Sequence, residues 1–95
     1  MHKLFIITLL LIYVNVAYCF QIYIKTLTGK LTKYDVELND TIKTIKNKIN
    51  NKENIPVNNQ RLVFNGKVLK DDKTISYYNI QENDIINLVI SLNIN

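Results

Sequence analysis

Apolar and polar residues alternate along the part of the chain that follows its leading apolar run. Phe20, Ile22 and Ile24 are apolar, and the residues between them are polar or amphipathic. A period of two is typical of a half-buried strand. A turn containing Gly29 follows, and residues 32–37 alternate in the same way. The pattern therefore predicts a β-hairpin with a Gly-containing, bulged turn.

The period of the pattern changes in the next segment. Ile42, Ile45 and Ile49 recur at helical spacing, and lysines occupy the opposite side. Thr41 is a suitable N-cap residue, because its hydroxyl can accept a hydrogen bond from the first helical turn. Asn54 can adopt the left-handed conformation that ends a helix, and the Ile-Pro pair after it prevents continuation. The segment therefore predicts one amphipathic helix.

Two short strands, a polar segment and a last strand complete the pattern. Arg61–Phe64 and Lys67–Leu69 are predicted strands around an Asn-Gly pair at 65–66, which is a strong hairpin signal. A turn-rich segment, with a short helical turn predicted near 74–78, precedes a final strand within 85–93. One helix is then available to cover one sheet, which predicts an α+β roll.

The beginning of the chain has a different composition. After a basic start and an apolar run, the small residues Ala17 and Cys19 stand at the positions that signal peptidase reads. These features predict a secretory signal peptide, residues 1–19, followed by one domain, residues 20–95. The alternative is an uncleaved membrane anchor, although the apolar run is shorter than the ~20 residues that span a bilayer. We expect the domain to enter the secretory pathway, and to be secreted or held in an endomembrane lumen.

The predicted domain lacks two residue types on which many enzymes depend. Cys19 is the only cysteine and His2 the only histidine, and both belong to the predicted leader. The domain therefore has no disulfide, no thiol nucleophile and no histidine base. Its acidic residues also lack the spacing of a calcium-binding loop. We expect no enzyme activity, no catalytic residues, no metal site and no cofactor.

The charge of the chain is moderately basic. The formal net charge is +4, which becomes +3 without Lys3. Nucleic-acid binders usually interleave clustered cations with aromatic residues. The lysines crowded into one segment have no aromatic neighbours: Lys43, Lys46, Lys48 and Lys52. We therefore expect a solvated basic face and no nucleic-acid partner.

Several stretches of the predicted domain resemble the ubiquitin family. They are QIYIKTLTGK at its start, DTIKTIKNKI in the helix, KENIP after it, QRLVFNGKVL in the second hairpin, and YNIQ. The resemblance covers residues 20–95 without a gap. It implies the β-grasp fold, in which a mixed sheet of five strands packs on one helix, and this agrees with the order of elements predicted from the pattern.

The resemblance also implies surfaces for binding other proteins. The positions that match the apolar patch of the family, with its polar rim, are Leu27, Val63, Val89, Lys25, Lys67 and Asn87. A second, smaller patch is matched by Ile55, Ile90 and Leu92. A further match implies an ion pair between Lys46 and Asp71, with a structural role.

The tail departs from the pattern of the family members that are conjugated to other proteins. Those members carry Gly-Gly, which the narrow channels of activating enzymes require, because glycine has no side chain. Here Ile94 and Asn95 occupy these two positions. The resemblance therefore implies a domain that is not conjugated through this tail. Lysines that match chain-linking positions are possible acceptors of modification: Lys30, Lys48 and Lys67.

These observations predict a monomeric, non-covalent protein-binding module in the secretory route. Its expected partners are other proteins, of the kind that carry ubiquitin-binding domains. One alternative is a covalent ubiquitin-like modifier, with a complex-plastid compartment as its destination. The other is a diverged copy that has retained no binding partner. Contact with a membrane is expected only if the leader stays uncleaved.

Overall fold

The computed structural model describes residues 19–91, which form a five-stranded mixed sheet with one α-helix packed against it. This is the ubiquitin-like β-grasp fold, and it confirms the predicted fold class. The elements in chain order are β1 (Cys19–Lys25), β2 (Leu31–Glu37), α1 (Ile42–Glu53), a 3-10 helix (Val57–Asn59), β3 (Gln60–Phe64), β4 (Lys67–Val68) and β5 (Ile85–Ile90).

The strands lie side by side in the order β2-β1-β5-β3-β4. Three of the four pairings are antiparallel, and the central pairing of β1 with β5 is parallel. A parallel neighbour requires a long connection, which α1 and the segments around β3 and β4 provide. The first and last strands of the domain therefore meet in the middle of the sheet.

Helix α1 begins and ends where the sequence predicts. The Thr41 hydroxyl accepts a hydrogen bond from the Thr44 backbone N–H at 3.2 Å. At the other end, Asn54 has a left-handed backbone with φ of 58°, and its N–H donates to the Asn50 carbonyl. Both contacts satisfy backbone groups that a helix terminus leaves without an intrahelical partner. The capping predictions are confirmed.

The core lies between α1 and the inner face of the sheet. Ile42, Ile45 and Ile49 of the helix are fully buried against alternate residues of the strands. The inward strand residues are Phe20, Ile22, Ile24, Tyr34, Val36, Leu62, Ile86 and Leu88. The period-two and helical patterns read from the sequence therefore correspond to the two sides of one core.

The second hairpin and the segment after it differ in detail from the prediction. Asn65 and Gly66 both have positive φ, as a two-residue hairpin turn requires, but β4 ends at Val68. The helical turn predicted near 74–78 is wrong. Thr74 instead forms an isolated β-bridge with Thr41, and consecutive hydrogen-bonded turns follow. In this segment the Asn79 N–H donates to the Ser76 carbonyl and the Ile80 N–H donates to the Ile75 carbonyl, so the turns close on themselves and do not continue as a helix.

The exposed edge of β2 is covered by lysines from α1. The Lys48 ammonium donates to the Asp35 carbonyl at 2.6 Å, and the Lys52 ammonium donates to the Lys33 carbonyl at 3.3 Å. An edge strand with free backbone groups can pair with another chain, and occupied carbonyls reduce that tendency. This arrangement agrees with the expectation of a monomer, which stays a prediction.

Tyr34 is buried at the inner face of β2 with its hydroxyl unsatisfied within residues 19–91. Burial, and to a smaller extent the negative charge of Glu53, raise the pKa of Tyr34 above its ordinary value of 10.0. Between the unfolded and the folded pKa, the unfolded chain loses the tyrosine proton while the folded chain keeps it. The free energy of unfolding must then fall as the pH rises above the unfolded value.

Tyr34→Phe is therefore expected to reduce the loss of stability at alkaline pH. Phenylalanine keeps the buried ring, has no proton to lose and removes a hydroxyl that finds no partner. Urea unfolding measured at neutral pH and again near pH 11 should show a smaller decrease for the variant than for the unmodified chain. Equal decreases in the two proteins would contradict this account of Tyr34.

Candidate functional site

The outer face of the sheet, opposite α1, carries the residues that the resemblance singled out. Neighbouring strands place one row of side chains across all five strands. In order from β2 to β4, the paired residues of this row are Leu31, Lys25, Asn87, Val63 and Val68. Because strand residues alternate between faces, residues two positions away along each strand lie on the same face. The row thus has aliphatic side chains on both sides of a polar pair.

Four of the six predicted patch residues lie directly on this face. Lys25, Asn87 and Val63 are cross-strand neighbours, and Val89 lies two residues beyond Asn87 on β5. Val63 and Val89 are half-buried, whereas Lys25 and Asn87 are exposed. Their side chains therefore form a surface on which half-buried valines lie beside exposed polar groups.

The other two predicted residues border the face. Leu27 lies in the turn between β1 and β2, two residues beyond Lys25, and is 82% exposed. Lys67 is the first residue of β4 and is also exposed. Leu27 has the largest exposure among the exposed large hydrophobic residues of the range 19–91. The fold brings Lys25, Asn87, Val63 and Val89 to one face, with Leu27 in the adjacent turn, whereas Lys67 lies on the edge strand paired with Phe64. The binding role of all six residues stays a prediction.

Three more aliphatic residues enlarge this face, and sequence reasoning missed them. Leu31, Val68 and Ile85 are 50%, 55% and 46% exposed. Each occupies an outward position, since Leu31 pairs with Lys25, Val68 pairs with Val63 and Ile85 pairs with Tyr23. The outward position of these residues follows from the cross-strand register, and the register is known only after the pairing of the strands is known.

The second predicted patch is less complete. Ile90 is 44% exposed, but Ile55 packs against the core and is only partly exposed. Both adjoin Gln60, which pairs with Ile90 in the sheet and donates its side-chain N–H to the Ile55 carbonyl at 2.8 Å. Leu92 lies outside the described residues. Within residues 19–91, Ile90 is therefore the main exposed apolar group of this second patch.

The ion pair implied by the resemblance is present. Lys46 is 7% exposed, and its Nζ lies 2.6 Å from Oδ1 of Asp71, whose side chain is half exposed. The carboxylate therefore gives a buried ammonium its partner while itself facing water on one side. Its position in the loop after β4 gives this contact a structural role, because it ties that loop to α1.

The possible acceptor lysines differ in how free their ammonium groups are. Lys30 lies 3.4 Å from a carboxylate oxygen of Glu53, and Lys48 donates to the Asp35 carbonyl. Lys67 forms no ion pair or side-chain hydrogen bond within residues 19–91 and is exposed. Of the three, Lys67 is therefore the most accessible to a modifying enzyme.

The described residues present little other chemistry. Across residues 19–91, no three His, Cys, Asp or Glu side chains lie close enough together to hold a metal ion. No helix in that range has the length and apolar character needed to cross a membrane. Cys19, the last residue of the predicted signal peptide, lies exposed at the start of β1, and residues 1–18 lie outside the described residues. The outer face of the sheet is therefore the candidate functional site.

Comparison with known proteins agrees with this fold. A model of the Ubiquitin family matches residues 22–93. The chain is 44% identical over 72 residues to NEDD8-like protein RUB3 of Arabidopsis thaliana, covering 76% of this chain and 92% of that protein. It is 44% identical over 71 residues to Ubiquitin-like protein NEDD8 of Dictyostelium discoideum, covering 75% and 92%. It is also 39% identical over 71 residues to Ubiquitin-like protein 1 of Schizosaccharomyces pombe, covering 75% and 91%.

Proposed function

The chain belongs to the ubiquitin family, and on that premise we propose that its domain is a non-covalent protein-binding module. Members of this family act as modifiers or binding modules, and ubiquitin-like domains generally interact with other proteins. The observation that carries the proposal is the outer face of the sheet, where half-buried Val63 and Val89 lie beside exposed Lys25 and Asn87. No catalytic residue is part of the proposal.

The composition of this face is suited to a reversible contact. Protein-binding sites commonly have an apolar centre and a polar, solvated rim. Here the aliphatic part is half-buried Val63 and Val89, and exposed cations lie near it: Lys25, Lys67 and Arg61. Leu27 projects from the adjacent turn and adds apolar area. A small interface leaves little free energy after the cost of association, so we expect dissociation constants of roughly micromolar or weaker.

The residues at the tail positions also support reversible binding. Ile94 and Asn95 stand where the conjugated members of the family have Gly-Gly, and both lie outside the described residues. A branched side chain is unsuited to a channel that admits glycine. We therefore propose that the domain acts through its surface and is not attached covalently to other proteins.

Val63→Arg is expected to weaken the binding of ubiquitin-binding domains by about tenfold or more, which corresponds to about 1.4 kcal/mol. The reason is that a charged guanidinium would be placed at the centre of the apolar contact, where it loses water without gaining a partner. The measurement is an NMR titration of the isotope-labelled full chain with a helical ubiquitin-interacting motif and with a ubiquitin-associated domain.

A matched control is Leu38→Arg, because Leu38 is 40% exposed in the loop after β2 and does not lie on the outer face. This variant should bind as the unmodified chain does. Spectra of both variants must retain the dispersion of the folded domain. Binding that is equally weakened by both substitutions, or an unmodified chain that binds neither domain, would contradict the proposed function.

Covalent modification of other proteins is the second candidate function. It is favoured by the 44% identity to two NEDD8-type proteins, which extends over 92% of the length of each. It predicts proteins whose mass is increased by one such domain, recognised by an antibody to the domain in lysates of cells that express the full chain. If no conjugates form under these conditions, the non-covalent function is supported.

We further propose that residues 1–19 direct the domain into the secretory pathway, with a membrane-anchored or complex-plastid location as the alternative. The proposal is supported by the apolar run with small residues at Ala17 and Cys19. Mass spectrometry of the N-terminus of the purified protein, together with localisation of a tagged full chain, tests it. A mature protein that still begins at Met1 would favour the anchored form.

A further inference from the structure

A second surface lies at the edge of the sheet beyond β4. The β3–β4 hairpin and the turns that follow it enclose an open groove of about 590 Å3. Its side chains include Lys67, Val68, Lys70, Tyr77 and Tyr78. Val68 also belongs to the outer face and Lys67 borders it, whereas Lys70, Tyr77 and Tyr78 line the groove but are not part of the outer face.

The wall of this groove is held in place by specific contacts. The Tyr78 hydroxyl accepts a hydrogen bond from the Lys70 backbone N–H at 2.8 Å, and the Tyr78 ring packs against the core. The Tyr77 ring stands edge-on to it, with centroids 5.0 Å apart and planes at 88°. The Tyr77 backbone N–H donates to the Thr74 hydroxyl at 3.0 Å. The aromatic wall is therefore formed before any partner binds.

Apolar area remains exposed along this wall. Tyr77 is 64% exposed, and Val68, which also lines the groove, is 55% exposed. A side chain of a partner that packs in the groove would remove apolar surface of these residues from water, which is favourable. An exposed aromatic ring beside a cavity is also a common anchor in protein interfaces.

The charge of the groove is positive. Lys67 and Lys70 line it, and no carboxylate does. The ammonium groups of Lys67 and Lys70 form no ion pair or side-chain hydrogen bond within residues 19–91. A third ammonium, that of Lys73, lies 4.8 Å from the centroid of the Tyr77 ring. Three cations without a carboxylate partner in the described residues therefore lie in the groove or against its aromatic wall.

The nearest acidic residues do not neutralise these cations. Asp71 is paired with Lys46, and the Asp84 carboxylate accepts a hydrogen bond from the Gln81 backbone N–H at 2.8 Å. Asp72 is exposed and does not line the groove. A negatively charged partner would therefore find cations free to pair with it.

We propose that this groove binds an acidic peptide segment that carries one aromatic or long aliphatic side chain. The apolar side chain would pack in the groove against Tyr77 and Val68, and the flanking carboxylates would pair with Lys67, Lys70 and Lys73. A peptide fits better than a nucleic acid, because the basic surface is short and contains no arginine. This site goes beyond the proposed function, which concerns the outer face of the sheet.

The test is an NMR titration of the isotope-labelled full chain with a capped peptide that has one phenylalanine between three acidic residues on each side. Amide shifts should concentrate at residues 67–79, and binding should weaken as sodium chloride is added. A peptide with alanine instead of phenylalanine, and one with lysines instead of the acidic residues, should each bind at least about tenfold more weakly.

Point substitutions test whether the peptide binds in the groove. Lys70→Glu and Tyr77→Ser should each weaken the binding of the acidic peptide by about tenfold or more. Lys33→Glu makes the same change of charge on β2, at the opposite edge of the sheet, and should leave the affinity within about twofold. Leu27→Ala should also leave it unchanged, although Leu27 borders the outer face, so the two surfaces can be distinguished.

Three results would overturn the proposal. The first is the absence of peptide-induced shifts at residues 67–79. The second is an equal loss of affinity in Lys70→Glu and Lys33→Glu, which would indicate attraction by net charge alone. The third is tighter binding of a deoxythymidine decamer than of the peptide at the same salt concentration, which would identify the groove as a nucleic-acid site.

Discussion

Ile45→Ala is expected to lower the free energy of unfolding by about 2–5 kcal/mol. Ile45 is fully buried on α1, between the two other isoleucines that the helix turns toward the sheet. Truncation removes three carbon atoms from a site without solvent contact, and the surrounding side chains fill the resulting space only in part. Small domains are stabilised by only about 5–15 kcal/mol, so this change removes a large share of the total.

The measurement is urea unfolding followed by circular dichroism, with Lys43→Ala as the matched control. Lys43 lies on the same helix and is exposed. Its replacement keeps helix propensity nearly constant and should change stability by less than about 0.5 kcal/mol. A similar loss of stability in the two variants would contradict this prediction, because it would mean that the buried Ile45 side chain stabilises the fold no more than the exposed Lys43 side chain does.

Asp71→Asn is expected to destabilise the domain by about 1–3 kcal/mol, more than Lys46→Met does. The Lys46 side chain is 9% exposed and lies 2.6 Å from Asp71, whose side chain is 50% exposed. Without the carboxylate, the ammonium has no charged partner in a site that water scarcely reaches. Without the ammonium, the carboxylate can be solvated, and methionine still fills the space of the lysine stem.

The control for this pair is Asp72→Asn, which removes the same charge from the next residue. Asp72 is exposed and forms no ion pair within residues 19–91. Its substitution should change the urea midpoint little. A loss in Asp72→Asn equal to that in Asp71→Asn would indicate a general effect of net charge. A larger loss in Lys46→Met than in Asp71→Asn would contradict the asymmetry that follows from the unequal burial of the two groups.

Local patterns were sufficient to predict most of the secondary structure. The helix was predicted from the spacing of Ile42, Ile45 and Ile49 together with its capping residues, because these contacts join residues within a few positions of each other. The β3–β4 turn was predicted from the Asn-Gly pair for the same reason. The segment after Thr74 was predicted as a helical turn but forms successive turns, and the bridge between Thr74 and Thr41 could not be predicted from local pattern because the two residues are far apart in the sequence.

The candidate surfaces depended more on long-range structure. The resemblance identified Leu27, Val63 and Val89, but it did not identify Leu31 or Val68, which share the outer face through cross-strand pairing. The groove beyond β4 was not predicted at all. Its aromatic wall depends on how the Tyr78 ring packs on the core and how that ring orients the next one.

By itself, the sequence determined which segments are helix and strand, which family the domain resembles and that the predicted domain has neither cysteine nor histidine. Only the tertiary structure decided which exposed side chains share a surface and which lysines remain unpaired. The physical reason is the separation in sequence between the residues that interact. Periodicity, capping and turn chemistry act between near neighbours, whereas the binding face and the basic groove exist only after strands distant in the chain have paired and the core has oriented their side chains.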